Sequence, residues 1–393
     1  MENFKYYAPT KVVFGRDTQQ QVGELVREQG FHKVLLHYGG GSVIRSGLLD
    51  QVKRSLEEAG IAYTELGGVV PNPRLDMVYR GIELAKREQA EMILAVGGGS
   101  VIDSAKAIGY GVMNDCDVWD LYSHKCRAKA CLPIGVVLTI AATGSEMSNS
   151  SVITKADEHL KRSYNDDLAR PRFAVMNPAL TVTVPTYQTF CGCSDILMHT
   201  MERYFTNGGH MELTDSMAEA LMRTVIANAR ILKNDPENYD ARAEVMWASS
   251  LSHNNLTGCG IQAGDFACHA LEHDLGGMYD VAHGAGLTSI WGSWARYVVD
   301  SCLHRFKRFA LNVMGVGPTG SDRDIALRGI EALEAFFREI GMPTNLHELG
   351  LQLEDGDLRT LTAMCAQATG GSKGSAKVLH EADMYNIYRA ANA

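Results

Sequence analysis

The sequence changes character near Pro185, and this change restricts the possible fold more than any other feature. Before it, short β-rich runs alternate with helical patterns. From Thr186 onward there is almost no β signal. Helical patterns follow one another over 212–233, 239–257, 263–275, 323–340 and 355–368, separated by turn signals such as Asn234-Asp235-Pro236. In the first half, 32–37 reads as a strand. Residues 45–59 read as a helix with Leu48, Leu49, Val52 and Leu56 at helical spacing, followed by a strand over 61–66 and a helix over 74–89. Met92-Ile93-Leu94-Ala95-Val96 is a continuous apolar run, as in a parallel strand covered on both faces. A helix is expected over 101–109, and further strands at Ile134–Leu138 and Phe173–Met176. The predicted architecture is α/β plus all-α: a Rossmann-like parallel-sheet domain over 1–185, then an all-helical domain over 186–393.

A chain of 393 residues is long enough for two such cores. Its formal net charge is -9, with Lys and Arg scattered among acids, so no basic face for nucleic acid or membrane is expected. No apolar stretch is long enough to span a bilayer, and Met1-Glu2-Asn3-Phe4-Lys5-Tyr6 lacks the apolar core of a signal peptide. A cytoplasmic location is the expectation. The nine cysteines form no regular framework. They read as reduced, small apolar residues.

The helical half carries a cluster of metal-ligand residue types. Asp195 and His199 are four apart, which places both on one helix face. His269 and His273 repeat that spacing, and His283 follows. One straight helix over 269–283 would separate its ends by about 21 Å, too far for a shared ion. Gly276-Gly277 supplies a break that can return His283 to the others. One carboxylate with three imidazoles suits Fe(II) or Zn(II) and lacks the thiolates of a structural zinc site.

The first half carries loops suited to a nucleotide. Gly97-Gly98-Gly99-Ser100 joins a buried strand to a helix, where glycine allows close approach of a pyrophosphate and free N–H groups bind its charge. A second loop, Thr139-Ile140-Ala141-Ala142-Thr143-Gly144-Ser145-Glu146, follows the strand 134–138. Tyr38-Gly39-Gly40-Gly41-Ser42 closes an earlier strand and has no acid to accept a ribose 2′-hydroxyl. Ser42 and the backbone amides there, with Arg45 nearby, favour a 2′-phosphate, so NADP(H) is expected over NAD(H).

Taken together, Gly97-Gly98-Gly99-Ser100 with Asp103 and Lys106, Thr143-Gly144-Ser145-Glu146, Asn177-Pro178, Asp195-x-x-x-His199, His269-x-x-x-His273 and His283-Gly284 resemble the iron-containing (group III) alcohol dehydrogenases. The match runs from near residue 5 almost to the C-terminus. The Tyr38–Ser42 loop and Gly264-Asp265-Phe266 narrow it to the butanol dehydrogenase and broad-range aldehyde reductase branch. The resemblance implies Asp195, His199, His269 and His283 as ligands of one divalent ion, and cofactor contacts from Asp103, Thr139 and Lys161. It also implies a small alcohol or aldehyde substrate and a homodimer. In the mechanism expected from it, the metal polarises the substrate oxygen while a nicotinamide transfers hydride. His273, one turn beyond His269, is expected to relay a proton or to position its neighbours. A polyol dehydrogenase and a dehydroquinate-synthase-like enzyme are the alternatives on a related plan. The latter would need a basic pocket for a substrate phosphate, and no dense Lys/Arg cluster adjoins the histidine motifs.

Overall fold

The apolar runs of the first half pair into one six-stranded parallel sheet. A computed structural model describes residues 1–393 and divides the chain into two units, Tyr7–Val184, and Met1–Tyr6 with Pro185–Ala393. The first unit runs β1 (Lys11–Phe14), α1 (Val22–Glu28), β2 (Lys33–Gly39), α2 (Ser42–Arg45), α3 (Leu48–Glu58), β3 (Ala62–Val69), α4 (Leu75–Arg87), β4 (Met92–Gly97), α5 (Gly99–Met113), α6 (Val118–Tyr122), β5 (Ile134–Leu138), β6 (Ser150–Lys155), β7 (Leu160–Asn165) and β8 (Phe173–Met176). The sheet order is β1-β8-β5-β4-β2-β3, with every pairing parallel. Chain progression reverses direction between β2 and β4, so the topological switch point lies there, and ligands of open α/β sheets bind outside the strand ends at such a point.

Strands β4 and β5 are buried at every residue, as their unbroken apolar composition requires. Leu48, Leu49, Val52 and Leu56 of α3 join Val34, Leu36 and Leu94 in one core. The helix expected over 45–59 is interrupted at Gly47, whose φ of 72° lies in the left-handed region. The hairpin β6–β7 was not anticipated. It forms a separate antiparallel pair whose mixed polar and apolar residues carry little strand signal.

His37 is the one titratable group buried in the middle of β2. Its Nδ1 donates to Leu66 O at 2.9 Å, which obliges Nε2 to accept from the Ser104 hydroxyl, also at 2.9 Å. Burial is the main cause that lowers its pKa, to about 4, and the Leu66 bond opposes it. The folded state holds the ring neutral while the unfolded chain protonates it near pH 6.5, so stability should fall as pH drops from about 6.5 to about 4. The loss due to this residue is about 3 kcal/mol. Urea unfolding at pH 7 and pH 4.5 checks this: the His37→Gln variant should lose less on acidification than the wild type.

The second unit contains α7 (Thr186–Tyr204), α8 (Glu212–Asn234), α9 (Tyr239–His253), α10 (Ala267–Tyr279), α11 (His283–Val298), α12 (Leu303–Asn312), α13 (Asp322–Glu339), α14 (Asp355–Ala368) and α15 (Glu381–Ala391). A two-residue antiparallel pair, β9 (Ser372–Lys373) with β10 (Leu379–His380), is its one sheet element. One local expectation fails, and one helix start is hidden. Asp195 lies in the middle of α7, because the helix begins directly after Pro185. Thr186–Phe190, with its β-branched and aromatic side chains, is a weak helix former and hides that start. The expected break at Gly276 and Gly277 does not occur: they do not end α10. Both are buried inside it, and their packing overrides a propensity cost of about 1 kcal/mol each. The chain breaks at Asp280, in the left-handed region with φ 52°, and His283 opens the next helix.

Candidate metal centre and nucleotide loops

Three helices bring three imidazoles around one carboxylate oxygen. Asp195 and His199 sit one turn apart on α7, His269 lies in the first turn of α10, and His283 is the first residue of α11. From Asp195 Oδ1, His199 Nδ1 lies at 3.4 Å, His269 Nε2 at 3.5 Å and His283 Nε2 at 3.7 Å. These separations are too long for hydrogen bonds, which fall near 2.7–3.2 Å. Ligand atoms about 2.0–2.1 Å from a tetrahedral ion stand roughly 3.3–3.4 Å apart, close to what is found here. Asp195 Oδ1, His199 Nδ1 and His269 Nε2 are buried and have no hydrogen-bond partner. Buried polar atoms without partners are costly, and a divalent ion among them would satisfy all three. The donor set therefore fits the ion that the spacing predicts.

Two carboxylates that the sequence reading overlooked orient the imidazoles. Glu202 accepts from His269 Nδ1 and, at 3.2 Å, from the His269 backbone N–H. Glu272 accepts from His283 Nδ1. Both acids are fully buried. Each fixes the tautomer that turns Nε2 toward Asp195 and makes that nitrogen a stronger donor. A usable signal existed: Glu202 stands three residues after His199, and Glu272 three after His269, each on the same helix face as its neighbour. Burial, followed by the nearby His253 and His269 rings, pushes His199 well below the ordinary histidine value. For His269 burial acts in the same direction, but Glu202 and Asp195 outweigh it and raise the pKa to about 9. A metal therefore competes with a proton at this ring. Glu202→Gln and Glu272→Gln should each weaken metal affinity by about 10- to 100-fold. Competition with a chromophoric chelator measures this.

Donor atoms of Glu272, His273 and His283 also cluster within 4.8 Å of one another. Because the Glu272 carboxylate already holds His283 Nδ1, it is committed to orientation. The half-buried His273 ring lies 5.9 Å from the His283 ring and 6.3 Å from that of His269. Gly264-Asp265-Phe266 sets the start of α10: Asp265 accepts from the Ala267 N–H at 3.1 Å, and the Phe266 ring stands 5.7 Å from His269.

The nucleotide residues fall on neighbouring strand ends in the first unit. Gly39 ends β2, Gly97 ends the adjacent β4, and Thr139 follows β5, its N–H donating to Gly97 O at 3.1 Å. Gly40 and Ser42 lead into α2, while Gly98, Gly99 and Ser100 form the N-terminal turn of α5. A Cβ on Gly98 would stand 2.1 Å from Ile140 Cγ2, and one on Gly99 would stand 2.5 Å from Thr143. Only glycine allows the two loops to touch. Asp103, in the second turn of α5, accepts from the Ser145 hydroxyl at 2.6 Å and the Val152 N–H at 3.0 Å. Lys161 is buried on β7, opposite Thr154, and so belongs to the separate hairpin and not to the edge of the main sheet.

Residues 9–178 match the family model for iron-containing alcohol dehydrogenase, and 189–392 match the model for the C-terminal domain of the Fe-containing alcohol dehydrogenase family. The chain belongs to the iron-containing alcohol dehydrogenase family. Within the family it is 41% identical over 392 residues to a probable NADH-dependent butanol dehydrogenase of Bacillus subtilis, covering all of both chains. The NADPH-dependent aldehyde reductase YqhD of Escherichia coli is 34% identical over 354 residues, covering 89% of this chain and 90% of the reductase. The crystal structure of an NADH-dependent butanol dehydrogenase from Thermotoga maritima superposes with a TM-score of 0.96 at 36% identity, covering 100% of this chain and 99% of that one. This iron-containing alcohol dehydrogenase is thus an oxidoreductase of the butanol dehydrogenase and aldehyde reductase branch, with a pyridine nucleotide and a metal as cofactors. None of its helices is long and apolar enough to cross a membrane.

Proposed function

We propose that the chain interconverts small primary alcohols and aldehydes, of the butanol and butanal size, using NADP(H) and one Fe(II) or Zn(II) held by Asp195, His199, His269 and His283. The observation that carries this reading is the convergence of three imidazole nitrogens on Asp195 Oδ1 at 3.4–3.7 Å. The activities named for the Bacillus subtilis and Escherichia coli relatives support the substrate class. A divalent ion held by these four residues would supply Lewis acidity toward an alcohol or aldehyde oxygen, and a bound nicotinamide would supply hydride chemistry. Glu202 and Glu272 hold the ligand rings in register. The His273 imidazole relays a proton to or from the substrate oxygen. Replacing His273 with alanine should leave metal content unchanged and lower kcat, a split read by metal analysis alongside steady-state kinetics.

Gly97, Gly98, Gly99 and Ser100 cradle the pyrophosphate at the start of α5. Thr139 at the main-sheet edge contributes to the nucleotide site, with Asp103 and, from the separate β6–β7 hairpin, Lys161 added on the strength of the family resemblance, and Gly39, Gly40 and Ser42 face the adenosine ribose. Two features support a 2′-phosphate there. The Arg45 guanidinium lies against Gly41, where a Cβ would stand 2.1 Å from Nη1. The acid on the neighbouring strand, Glu65, is engaged by Lys53 at 2.8 Å and by the Tyr38 hydroxyl at 3.0 Å. The proposal extends to a cytoplasmic homodimer, for which edge strand β1, paired on one side with β8, offers an open face. The test is kcat/KM for butanal with NADPH and with NADH, in the wild type and in Arg45→Ala. Preference for NADPH that Arg45→Ala removes is expected. Preference for NADH, as in the names of two relatives, would overturn the nucleotide assignment, and no turnover of any primary alcohol or aldehyde would overturn the reaction.

A further inference from the structure

The first unit buries a lysine that no step above uses. Lys106, on the inner face of α5, is completely inaccessible to solvent. Its ammonium stands 2.8 Å from Ser145 O, 2.9 Å from Ser145 Oγ, 3.0 Å from Ser148 O, 3.2 Å from Ser148 Oγ and 2.7 Å from Ser150 O. Three protons are thus shared among five oxygens, four from the irregular segment between β5 and β6 and the fifth from Ser150, the first residue of β6. A buried charge persists only where hydrogen bonds compensate it, so the segment and the lysine define each other's positions. One turn earlier on α5, Asp103 accepts from the Ser145 hydroxyl of this segment and from the Val152 N–H of β6. A second cation, Arg170, donates to Met147 O at 2.7 Å. The segment's other end packs on the glycine turn, where Gly98 and Gly99 have no room for a Cβ beside Ile140 and Thr143.

We infer that Lys106 is a positioning residue of the nucleotide site: its ammonium clamps residues 145–150 onto α5, which fixes the wall formed by 139–144 beside the pyrophosphate-binding turn. This rests on the reading that the nucleotide binds at the Gly97–Ser100 edge. Lys106 touches no reacting atom in this scheme, so its loss should weaken nucleotide binding without a matching loss in the rate of hydride transfer. Burial lowers its pKa to about 8, with Asp103 and Glu146 raising it, Arg170 lowering it and Cys131 raising it. These are the charged and titratable groups that face it, from α5, the clamped segment, the approach to β8 and the approach to β5. A neutral amine offers two protons in place of three, so the clamp should loosen as pH rises through about 8.

The test is the dissociation constant of NADPH, followed by its fluorescence, together with kcat at saturating nucleotide. Lys106→Met removes the charge at nearly constant length, and Ser145→Ala removes only the hydroxyl shared by Lys106 and Asp103. Lys106→Met should raise the dissociation constant by about tenfold or more, and Ser145→Ala by a smaller factor. In both variants kcat at saturation should change by about threefold or less. The wild-type affinity should weaken above pH 8, and that of Lys106→Met should not. If Lys106→Met does not fold, Ser145→Ala and the wild-type pH profile decide. Unchanged dissociation constants in the folded variants, with only a lower Tm, would overturn the inference alone. A wild type that binds neither NADPH nor NADH would overturn the nucleotide reading, and the inference with it.

Discussion

Asp195→Ala is expected to strip the protein of divalent metal and slow alcohol–aldehyde turnover by about 10³-fold or more. Asp195 supplies the only anionic donor, and its Oδ1 is the point on which His199, His269 and His283 converge. Without it, three imidazoles face one another with no charge to offset the ion, and His199 and His269, with ring centroids 4.6 Å apart, compete for the same space. Polarisation of the substrate oxygen accounts for several kcal/mol of a barrier of this kind, and each 1.36 kcal/mol is tenfold in rate. The fold should survive, because the residue is small and Glu202 and Glu272 still hold His269 and His283. Metal per chain by elemental analysis and kcat on an aldehyde measure both effects. Full metal content with near-normal turnover would remove Asp195 from the site.

Gly284→Ala should be the most damaging single methyl group in the helical unit. A Cβ there would fall 2.1 Å from Cys191 O, 2.6 Å from its carbonyl carbon and 2.7 Å from its Cα. All three are backbone atoms of α7, so no side chain can rotate away and the helices must separate. Gly284 follows His283 directly, and Cys191 precedes Asp195 by one helical turn. Separation therefore pulls one ligand from another. We expect a stability loss of about 3 kcal/mol, at the upper end of the usual overpacking range, with metal affinity falling in parallel. Gly356→Ala is the contrast. That glycine lies in the first turn of α14, with nothing within 4 Å of a Cβ, so alanine should stabilise by up to about 1 kcal/mol. Thermal unfolding of both variants, with and without added metal, separates the two cases.

What the sequence disclosed and what it concealed follow from the range of the interactions. Periodicity reported local geometry well: β5, β8 and α14 begin and end where their patterns do. The candidate metal ligands Asp195 and His199 could be picked out because i, i+4 spacing on a helix is local information. How His283 joins them was not, since it depends on a turn at Asp280 and on a glycine contact between α7 and α11, which are distant in sequence. Glu202 and Glu272 were overlooked for a related reason: an acid on a helix ordinarily faces water, and only tertiary packing shows these two buried against imidazoles. Lys106 and His37 are further cases. Each has a side chain that composition would place at the surface, yet each is fully enclosed by partners 29 to 67 residues away.

In the proposed function, Asp195, His199, His269 and His283 hold one divalent ion on which the reaction depends. The most direct measurement is aldehyde-dependent NADPH oxidation by chelator-treated protein, before and after anaerobic reloading with Fe(II) or Zn(II), with bound metal counted in the same samples. Activity should be lost on chelation and should return as one equivalent binds. Activity that survives complete removal of metal, or does not return with one equivalent bound, would contradict it.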